Sequence, residues 1–569
     1  MTTESQAPEP AAKKPGTLAA LAVYLERRSL VMLALGFASG LPNLLIFDTL
    51  SAWLRDAGLS LEVIAFFGLA TLAYSLKFLW APLVDRARIP LLTRWLGHRR
   101  SWMLACQALI VLGLWAIAGG DPARGLGLMA LFAVFVGFVS ATQDIVIDAW
   151  RIEAAATEKQ GAMAAAYQWG YRIAMIVAGV VPLALSEYAG WNTSYAIMAV
   201  LMLIGVAGVL GAPREAQHEI RAIDTGDIPA APGRDLVEWI VRLALFTLGA
   251  LVLGSGLAGN AALLSSGLAA LGLGGAGEQI TALWQAKPWG AAAQVGGVAL
   301  GALVIYLAAR PAPGMQTRPG RYLGVALGAP LADFFARYGQ AAGLILALIC
   351  VYRLSDFVLN IMNPFYLDMG FSKLEIAEVR KVLGAVMSVL GVGLGGFSIA
   401  RFGLMRSMVA GAFAGPISNL VFAWLATQGP QLWALSAAIG IDNVASGYSG
   451  TCLIAYMSSL TGQGFTATQY ALFSSLYALL GKLIASQSGR IVEGAAAAAD
   501  AGGLFAAFKP LFANLPAETF ASAMEKSGVS AAALGAGYVT FFIYSALLGV
   551  IGVALAFAVA RLNPQPKGV

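Results

Sequence analysis

The segment Asp56-Ala57-Gly58-Leu59-Ser60 follows the first long apolar run of the chain, and Asp368-Met369-Gly370-Phe371-Ser372 follows the ninth. An acidic residue, Glu62 or Glu375, comes soon after each segment. The same short pattern at the same point of two apolar series indicates an internal repeat. We therefore expect two related halves.

The apolar runs around this repeat divide into groups of six, two and six. Each is close to the roughly 20 residues that an α-helix needs to cross a bilayer, so the sequence predicts fourteen membrane helices. They are Leu30–Trp53, Leu61–Val84, Ser101–Ala118, Leu126–Ala149, Ala162–Leu185, Thr193–Leu210, Val237–Leu257, Trp289–Ala309, Ala341–Leu367, Leu374–Ala400, Leu404–Ala426, Leu432–Ser459, Thr466–Val492 and Ala531–Ala560.

This grouping predicts four regions. A disordered cytoplasmic tail covers 1–29, and a six-helix half covers 30–211. Linkers with an extra transmembrane hairpin cover 212–338, and a second six-helix half covers 339–569. For the extra pair, a hairpin on the membrane surface is the alternative.

Composition argues against a soluble enzyme. Hydrophobic residues make up 59% of the chain and charged residues 12%, with a mean hydropathy of +0.75, whereas soluble domains carry about a quarter charged residues. The net charge of +6 is spread between apolar runs, so no nucleic-acid partner is expected. The three cysteines lie in apolar runs without metal-ligand spacing, and neither a metal nor a cofactor is expected.

The distribution of Lys and Arg predicts the orientation of the helices. With the N-terminus inside the cell, 21 of these residues fall in cytoplasmic segments and 6 in segments on the opposite side. Cytoplasmic segments are the ones enriched in positive charge. Both termini are therefore expected in the cytoplasm.

Two cytoplasmic loops carry a further repeated pattern. Asp85-Arg86 and then Gly97-His98-Arg99-Arg100 follow the second helix, and Arg401-Phe402-Gly403 with Arg406 follows the tenth. These loops resemble the Asp-Arg…Gly-Arg-Arg motif of the major facilitator superfamily, an all-α membrane fold with two six-helix halves. The resemblance implies a charged latch at the cytoplasmic side. Ordinary cytoplasmic positive charge is the alternative.

Longer segments narrow the resemblance to one family, the AmpG muropeptide permeases. It covers roughly residues 30–211 and 339–560, and the insert Pro213–Arg321 and the loop Glu493–Ser530 depart from it. The similar segments are Gly36-Phe37-Ala38-Ser39-Gly40-Leu41-Pro42, Lys77-Phe78-Leu79-Trp80-Ala81-Pro82-Leu83-Val84-Asp85-Arg86, Gln143-Asp144-Ile145-Val146-Ile147-Asp148-Ala149-Trp150 and Thr466-Ala467-Thr468-Gln469-Tyr470-Ala471-Leu472.

The resemblance implies a proton-coupled importer in the bacterial inner membrane, working by alternating access. Its cargo would be N-acetylglucosaminyl-anhydro-N-acetylmuramyl peptides, carried from periplasm to cytoplasm for peptidoglycan recycling and β-lactamase induction. The partners would be this muropeptide, protons and the lipid bilayer, and a monomer is expected. Acetyl-coenzyme A transporters are related, so transport of acetyl-coenzyme A or another anionic solute is the alternative.

Charges inside membrane helices are costly and usually face a cavity or a partner. Arg353 and Asp356 share a helix face at i, i+3. Arg353 would bind a cargo carboxylate and Asp356 would accept a proton. The alternative is that the two form a structural ion pair. Arg172 and Lys482 place one cation in each half, where they would bind cargo carboxylates or pair with aspartates. As proton carriers we rank Asp356 first, then Asp442 and Asp48.

Other candidates would shape the cargo site or close it. Asn360 and Asn363 extend the Asp356 line, and aromatic rings are candidates for holding the sugars, although most membrane aromatics are structural. These rings are Trp169, Tyr171, Tyr352 and Tyr448. The gate candidates, for which an interhelical clamp is the alternative, are Lys77, Asp85, Arg86, Asp144, Asp148, Arg151 and Arg401.

A membrane enzyme and a receptor are the competing classes. Asp144-x-x-x-Asp148 is similar to half of the paired Asp motifs that hold magnesium and diphosphate in polyprenyl transferases. The second half has Ser449-Gly450-Thr451-Cys452 at the aligned place, so an enzyme is not expected. The apolar, Gly/Ala-rich insert does not favour a receptor's output module.

Overall fold

The computed structural model describes residues 22–58, 72–155, 157–214, 223–258, 264–265, 268, 272, 274–285, 289–311, 314, 316–485 and 487–562. Within these ranges the regular structure is helical, without a β-strand. The first described helices, here called the N-terminal half, are α1 (Arg27–Leu44), α2 (Leu50–Asp56), α3 (Leu72–Leu76), α4 (Ala81–Arg86), α5 (Leu92–Leu96), α6 (His98–Ala118), α7 (Pro122–Ala154), α8 (Thr157–Leu201) and α9 (Leu203–Gly211).

A middle group follows, and then a C-terminal half. The middle helices are α10 (Pro232–Ala258), α11 (Gly274–Gln285), α12 (Gly290–Ala309) and α13 (Arg318–Tyr338). The C-terminal half consists of α14 (Ala341–Val351), α15 (Leu354–Phe357), α16 (Met362–Asp368), α17 (Lys373–Glu378), α18 (Gly384–Phe402), α19 (Leu404–Ala426), α20 (Leu432–Ser459), α21 (Thr466–Ala485), α22 (Ser488–Asp500), α23 (Ala523–Ser527) and α24 (Ala531–Leu562).

Eight described helices are long and apolar enough to cross a membrane, or up to ten if each of two strongly bent pairs counts as one span. One of them, Lys159–Gly211, is 53 residues long and contains the fifth and sixth predicted spans. The two meet at Gly190, whose φ of 77° is accessible to glycine at no steric cost. The count of fourteen is not confirmed and stays a prediction. Part of the second span lies at 59–71, outside the described residues.

Glycines bring helices of the same half into close contact. A side chain at Gly36 or Gly170 would overlap backbone atoms of the facing helix, because α1 and α8 pack there backbone to backbone. In the C-terminal half, Gly391 and Gly447 have the same role between α18 and α20. Small residues are the usual means of such close contact between membrane helices.

Two regions differ from the sequence expectation. Residues 22–29 are not a free tail: Tyr24 Oη donates to the carbonyl of Gly393 at 3.1 Å, and Glu26 pairs with Lys159 at 2.8 Å. Helix α13 lies where only a linker was expected, with Thr317 as its N-cap. Its uninterrupted apolar run, Tyr322–Ala332, is shorter than the roughly 20 residues that a membrane span needs, so the sequence analysis did not select it.

We call the two ends of the molecule the Asp85 end and the Asp368 end. The Asp85 end holds Asp85, Arg99 and the start of α21 at Thr466. The Asp368 end holds Asp368, whose carbonyl accepts from the amide of Phe520, together with a 3₁₀ segment at Leu504–Phe512. The middle helices pack beside the line where the two halves meet: Leu253 and Ile305 form one cluster with residues of α3 and α21.

Candidate functional site

A cavity of about 900 Å³ lies between the two halves and extends to the Asp368 end. We call it the central cavity. Helices α1 and α8 contribute one wall, and Arg353, α15 to α18 and α20 contribute the other. Its charged and amide-bearing residues are Asp48, Arg172, Arg353, Asp356, Asn363, Lys373, Arg380, Asp442 and Asn443. All three predicted proton carriers and both predicted arginines therefore share one space.

Arg353 lies where the ninth predicted span, Ala341–Leu367, breaks. Helix α14 ends at Val351 and α15 begins at Leu354, and interrupted helices of this kind form the binding sites of many transporters. Arg353 Nε donates to Asp356 Oδ2 at 2.9 Å, and Nη2 donates to Ser446 Oγ at 2.7 Å. The predicted Arg–Asp pair is confirmed as a contact. Its side chains stay 21% and 16% exposed, so cavity solvent and solutes can reach both.

Two π-helical turns border the central cavity. Leu45–Thr49 interrupts the first predicted span and carries Asp48, and Val379–Leu383 interrupts the tenth and carries Arg380. Such turns are frequent at functional sites, because an extra residue in the turn redirects side chains. Arg380 donates to the amide oxygen of Asn363. No apolar pattern reveals a π-turn, so this placement could not be predicted from the sequence.

Several predicted cargo residues lie elsewhere. Trp169 Nε1 donates to the carbonyl of Val389 at 2.8 Å and so joins the two halves. Tyr352 Oη donates to the carbonyl of Met408 inside the C-terminal half. Tyr448 lines a different groove, between α18, α19 and α20. These aromatics make structural contacts, the alternative left open from the sequence.

The other cargo candidates also have protein partners. Tyr171 Oη accepts from Asn43 at 2.7 Å. Lys482 Nζ donates to Ser75 Oγ at 2.6 Å, a contact between the halves away from the central cavity. The side chain of Asn360 lies outside the described residues. Lys373 and Ser446 belong to the site, and the sequence analysis did not select either.

A smaller cavity of about 260 Å³ lies on the other side of Arg353, toward the Asp85 end. Arg353 lines both cavities. The small cavity is lined by two gate candidates, Lys77 and Asp148, and by Tyr470. Lys77 Nζ and Asp148 Oδ2 are 3.9 Å apart. Arg353 therefore lies between the two cavities.

Asp85 joins the two halves at the Asp85 end. Its carboxylate accepts from the amides of Ala467 and Thr468, at 3.2 and 2.8 Å, and from Thr468 Oγ1 at 2.5 Å. These amides belong to the first turn of α21, where unsatisfied N–H groups and the helix dipole favour a negative charge. Arg99, fully buried, pairs with Asp85 at 2.8 Å and with Glu153 at 2.7 Å. An acidic residue of one half thus caps a helix of the other.

The remaining gate candidates form a second set of contacts near this end. Arg151 donates to Ser458 Oγ at 2.8 Å, pairs with Asp148 at 3.2 Å and lies over the Tyr470 ring at 5.2 Å. Asp144 accepts from Ser39 within the N-terminal half. Arg151 therefore crosses between the halves, whereas Asp144 does not.

The two loop motifs differ in what they contact. In the first, Arg86 lies over the ring of Phe465 of the opposite half at 5.9 Å. In the second, Arg401 lies over its own neighbour Phe402, also at 5.9 Å. Only the first copy makes a described contact between the halves.

Comparison with known proteins gives consistent matches. The family model of the Major Facilitator Superfamily matches residues 89–349, and that described as Acetyl-coenzyme A transporter 1 matches residues 29–120. The putative transporter AmpG 4 of Rickettsia felis is 27% identical over 474 residues, covering 83% of this chain and 91% of its own length. The anhydromuropeptide permease of Escherichia coli K12 is 29% identical over 476 residues, covering 83% of this chain and 76% of its own.

The fold has a solved counterpart. The proton:xylose symporter XylE superposes with a TM-score of 0.51, covers 96% of each chain and is 11% identical. At this identity the likeness concerns the fold alone.

Proposed function

This chain belongs to the major facilitator superfamily and is a relative of the AmpG permeases, and from that premise we propose that it is a proton-coupled importer of anhydromuropeptides. The superfamily consists of transporters, so the chain is a multi-pass membrane transporter and not an enzyme. The cargo, the coupling ion, the inner-membrane location and the direction of transport are the proposed part.

The central cavity is the observation that carries the proposal. It combines cations from both halves, Arg172 and Arg353, with a third, Arg380, nearer its mouth. Anhydromuropeptides carry several carboxylates, and a guanidinium binds a carboxylate through two parallel hydrogen bonds. The volume of about 900 Å³ lies within the range of small-molecule sites. Tyr366 and Asn363 supply a ring and an amide for the sugars.

Coupling would arise from exchange of partners at Arg353. Before cargo binds, its guanidinium pairs with Asp356. A cargo carboxylate that takes this position leaves Asp356, whose side chain is only 16% exposed, without its cation. An unpaired buried carboxylate is costly, and binding a proton removes the charge. Cargo and proton would then enter together, with Asp442 and Asp48 as the next proton carriers in order.

The contacts at the Asp85 end support an outward-open starting state. Asp85 and Arg151 hold the halves together there, whereas the central cavity extends to the opposite end. The predicted orientation puts the Asp85 end in the cytoplasm, so the open end would face the periplasm. Alternating access requires the Asp85 contacts to break, and we assign the gate to them, with Lys77 and Asp148 beside it. Asp144 would be an internal clamp of the N-terminal half.

Acetyl-coenzyme A, or another anionic solute, is the second candidate cargo. The match to the acetyl-coenzyme A transporter family over residues 29–120 favours it. Of the described charged residues that line the central cavity, that segment contains Asp48 alone. The relatives named for muropeptide transport match over 83% of the chain, so we rank the muropeptide first.

Uptake of radiolabelled disaccharide anhydromuropeptide into energised right-side-out vesicles tests the proposal. We expect uptake that a protonophore stops and that excess acetyl-coenzyme A does not reduce. Absence of uptake by vesicles that contain the protein, or full competition by acetyl-coenzyme A, would overturn the cargo. Uptake that ignores the protonophore would overturn the proton coupling. If Asp356→Asn still transports and still needs the gradient, the proton site moves to Asp442 or Asp48.

A further inference from the structure

A third cavity, here called the seam cavity, lies outside the transport pathway and has a volume of about 630 Å³. Phe78 and Leu79 of the N-terminal half form one side of it, and Leu472 and Leu479 of α21 form another. Helices α12 and α13 cover the rest. The cavity therefore lies where the two halves meet, beneath the middle helices.

The lining of the seam cavity is mostly apolar, with hydroxyl groups from Tyr306 and Thr468 and two arginines at one edge. Leu253, Ile305 and Leu331 are typical of its walls, and Arg310 and Arg321 are the basic residues among the described ones that line it. Arg310 is exposed and lies over the Tyr306 ring at 4.8 Å. Arg321 pairs with Asp227 at 2.7 Å, and both side chains are about half exposed. The site thus combines a deep apolar space with a small basic edge open to solvent.

The orientation of α13 indicates how deep in the membrane this basic edge lies. The helix makes an angle of 113° with the segment Ala341–Asp356 that follows it. An amphipathic helix across the direction of the spans is typical of one that lies in the membrane interface. Beside it, α10 exposes Leu236, Ile240 and Leu243, as expected of a lipid-facing surface. The apolar space is therefore at the depth of acyl chains, and the arginines are at the depth of headgroups.

We propose that the seam cavity binds one anionic phospholipid, with an acyl chain in the apolar space and the phosphate at Arg310 and Arg321. Basic pockets between membrane helices on the cytoplasmic side suit anionic headgroups. A soluble anion would leave the apolar space unfilled, and a neutral lipid would not use the second cation. The inference does not depend on the cargo.

The site gives the lipid a way to act on transport. Thr468 lines the seam cavity and also donates to Asp85 across the two halves. An acyl chain packed against both halves next to this contact must be partly released when the Asp85 end opens. Bound lipid therefore favours the state in which the Asp85 end is closed.

Lipid binding to the purified full-length protein tests the proposal. Phosphatidylglycerol, phosphatidylcholine with the same chains, and glycerol 3-phosphate are each added in detergent. Retained lipid is counted by native mass spectrometry, and the Tm is recorded. We expect one retained phosphatidylglycerol and a Tm rise of several degrees. An equal rise with phosphatidylcholine would overturn the headgroup, and an equal rise with glycerol 3-phosphate would overturn the acyl-chain site.

Two variants separate the two parts of the site. Gly328→Trp places a large side chain at the seam cavity, which Gly328 lines and where no atom lies within 4 Å of a Cβ. Ala336→Trp, at an exposed position of α13 beyond the lining residues, is its control. Arg310→Gln with Arg321→Gln removes the basic edge, and the exposed Arg234→Gln is its control. We expect at least tenfold weaker phosphatidylglycerol binding in both test variants and none of that loss in the controls. Unchanged binding by the arginine variant would overturn the site even if the tryptophan variant fails to fold.

Discussion

The two ends of the transport pathway use similar charged residues in opposite ways. At the Asp85 end, Asp85 and Arg99 are fully buried and paired. Toward the Asp368 end, Lys373 and Arg380 are exposed at the border of the central cavity. Buried charges must be paired because an unpaired one is costly, whereas exposed charges remain available to a solute. Paired charged residues therefore close the Asp85 end, and exposed ones can bind cargo toward the Asp368 end. Arg353 lies between the two.

The largest effect is expected at Arg353. Arg353→Gln removes the cation that Asp356 and the cargo would share. Losing a hydrogen-bonded charge contact costs about 2–3 kcal/mol, so we expect uptake to fall about 100-fold. Arg353→Lys should recover part of it, because a lysine keeps the charge without the two-bond geometry. Uptake by Arg353→Gln within threefold of wild type, with equal amounts of protein in the membrane, would remove Arg353 from the pathway.

A smaller effect is expected at the closed end. Asp85→Asn keeps the shape but loses the ion pair with Arg99 and an acceptor for α21, so the Asp85 end should open more often. In a chain without native cysteines, labelling of Ser474→Cys in the small cavity should rise about tenfold, and labelling of Ala385→Cys in the central cavity should fall.

Asp121→Asn, an exposed acidic residue at the other end, is the control for this measurement. If both cysteines keep their wild-type labelling in Asp85→Asn, the contact does not hold the closed state.

The smallest effect is expected at the open end. Lys373→Gln removes an exposed cation from the rim of the central cavity, and exposed charges contribute little and are screened by salt. We expect about a twofold rise in KM at low ionic strength and no difference at 0.5 M salt. A loss as large as that of Arg353→Gln would show that the two ends do not differ in this way.

The sequence predicted those parts of the fold that follow from uninterrupted apolar runs. The bounds of Leu404–Ala426 and Leu432–Ser459 agree with α19 and α20 to the residue. Helix α13 was missed because its uninterrupted apolar run, Tyr322–Ala332, is too short to predict a membrane span. The break at Arg353 and the π-turn at Asp48 were missed because they depend on tertiary packing rather than on hydropathy.

The candidate site likewise has parts that local sequence predicts and parts that it does not. The Arg353–Asp356 pair was predictable because both residues lie on one helical segment at i, i+3. The capping of α21 by Asp85 joins residues that are 382 and 383 positions apart in the chain. No local sequence pattern can predict a contact over such a separation. For Trp169 and Tyr448, residue type suggested sugar binding, but their hydrogen-bond partners are protein groups, Val389 and Ser398.

Proton uptake on cargo binding is the most direct test of the central claim, the exchange of partners at Arg353. Purified protein in weakly buffered detergent is mixed with disaccharide anhydromuropeptide while the pH is recorded. The account predicts about one proton taken up per cargo bound by wild type, and cargo binding without proton uptake by Asp356→Asn. Equal proton uptake by the two proteins, or none by wild type, would contradict it.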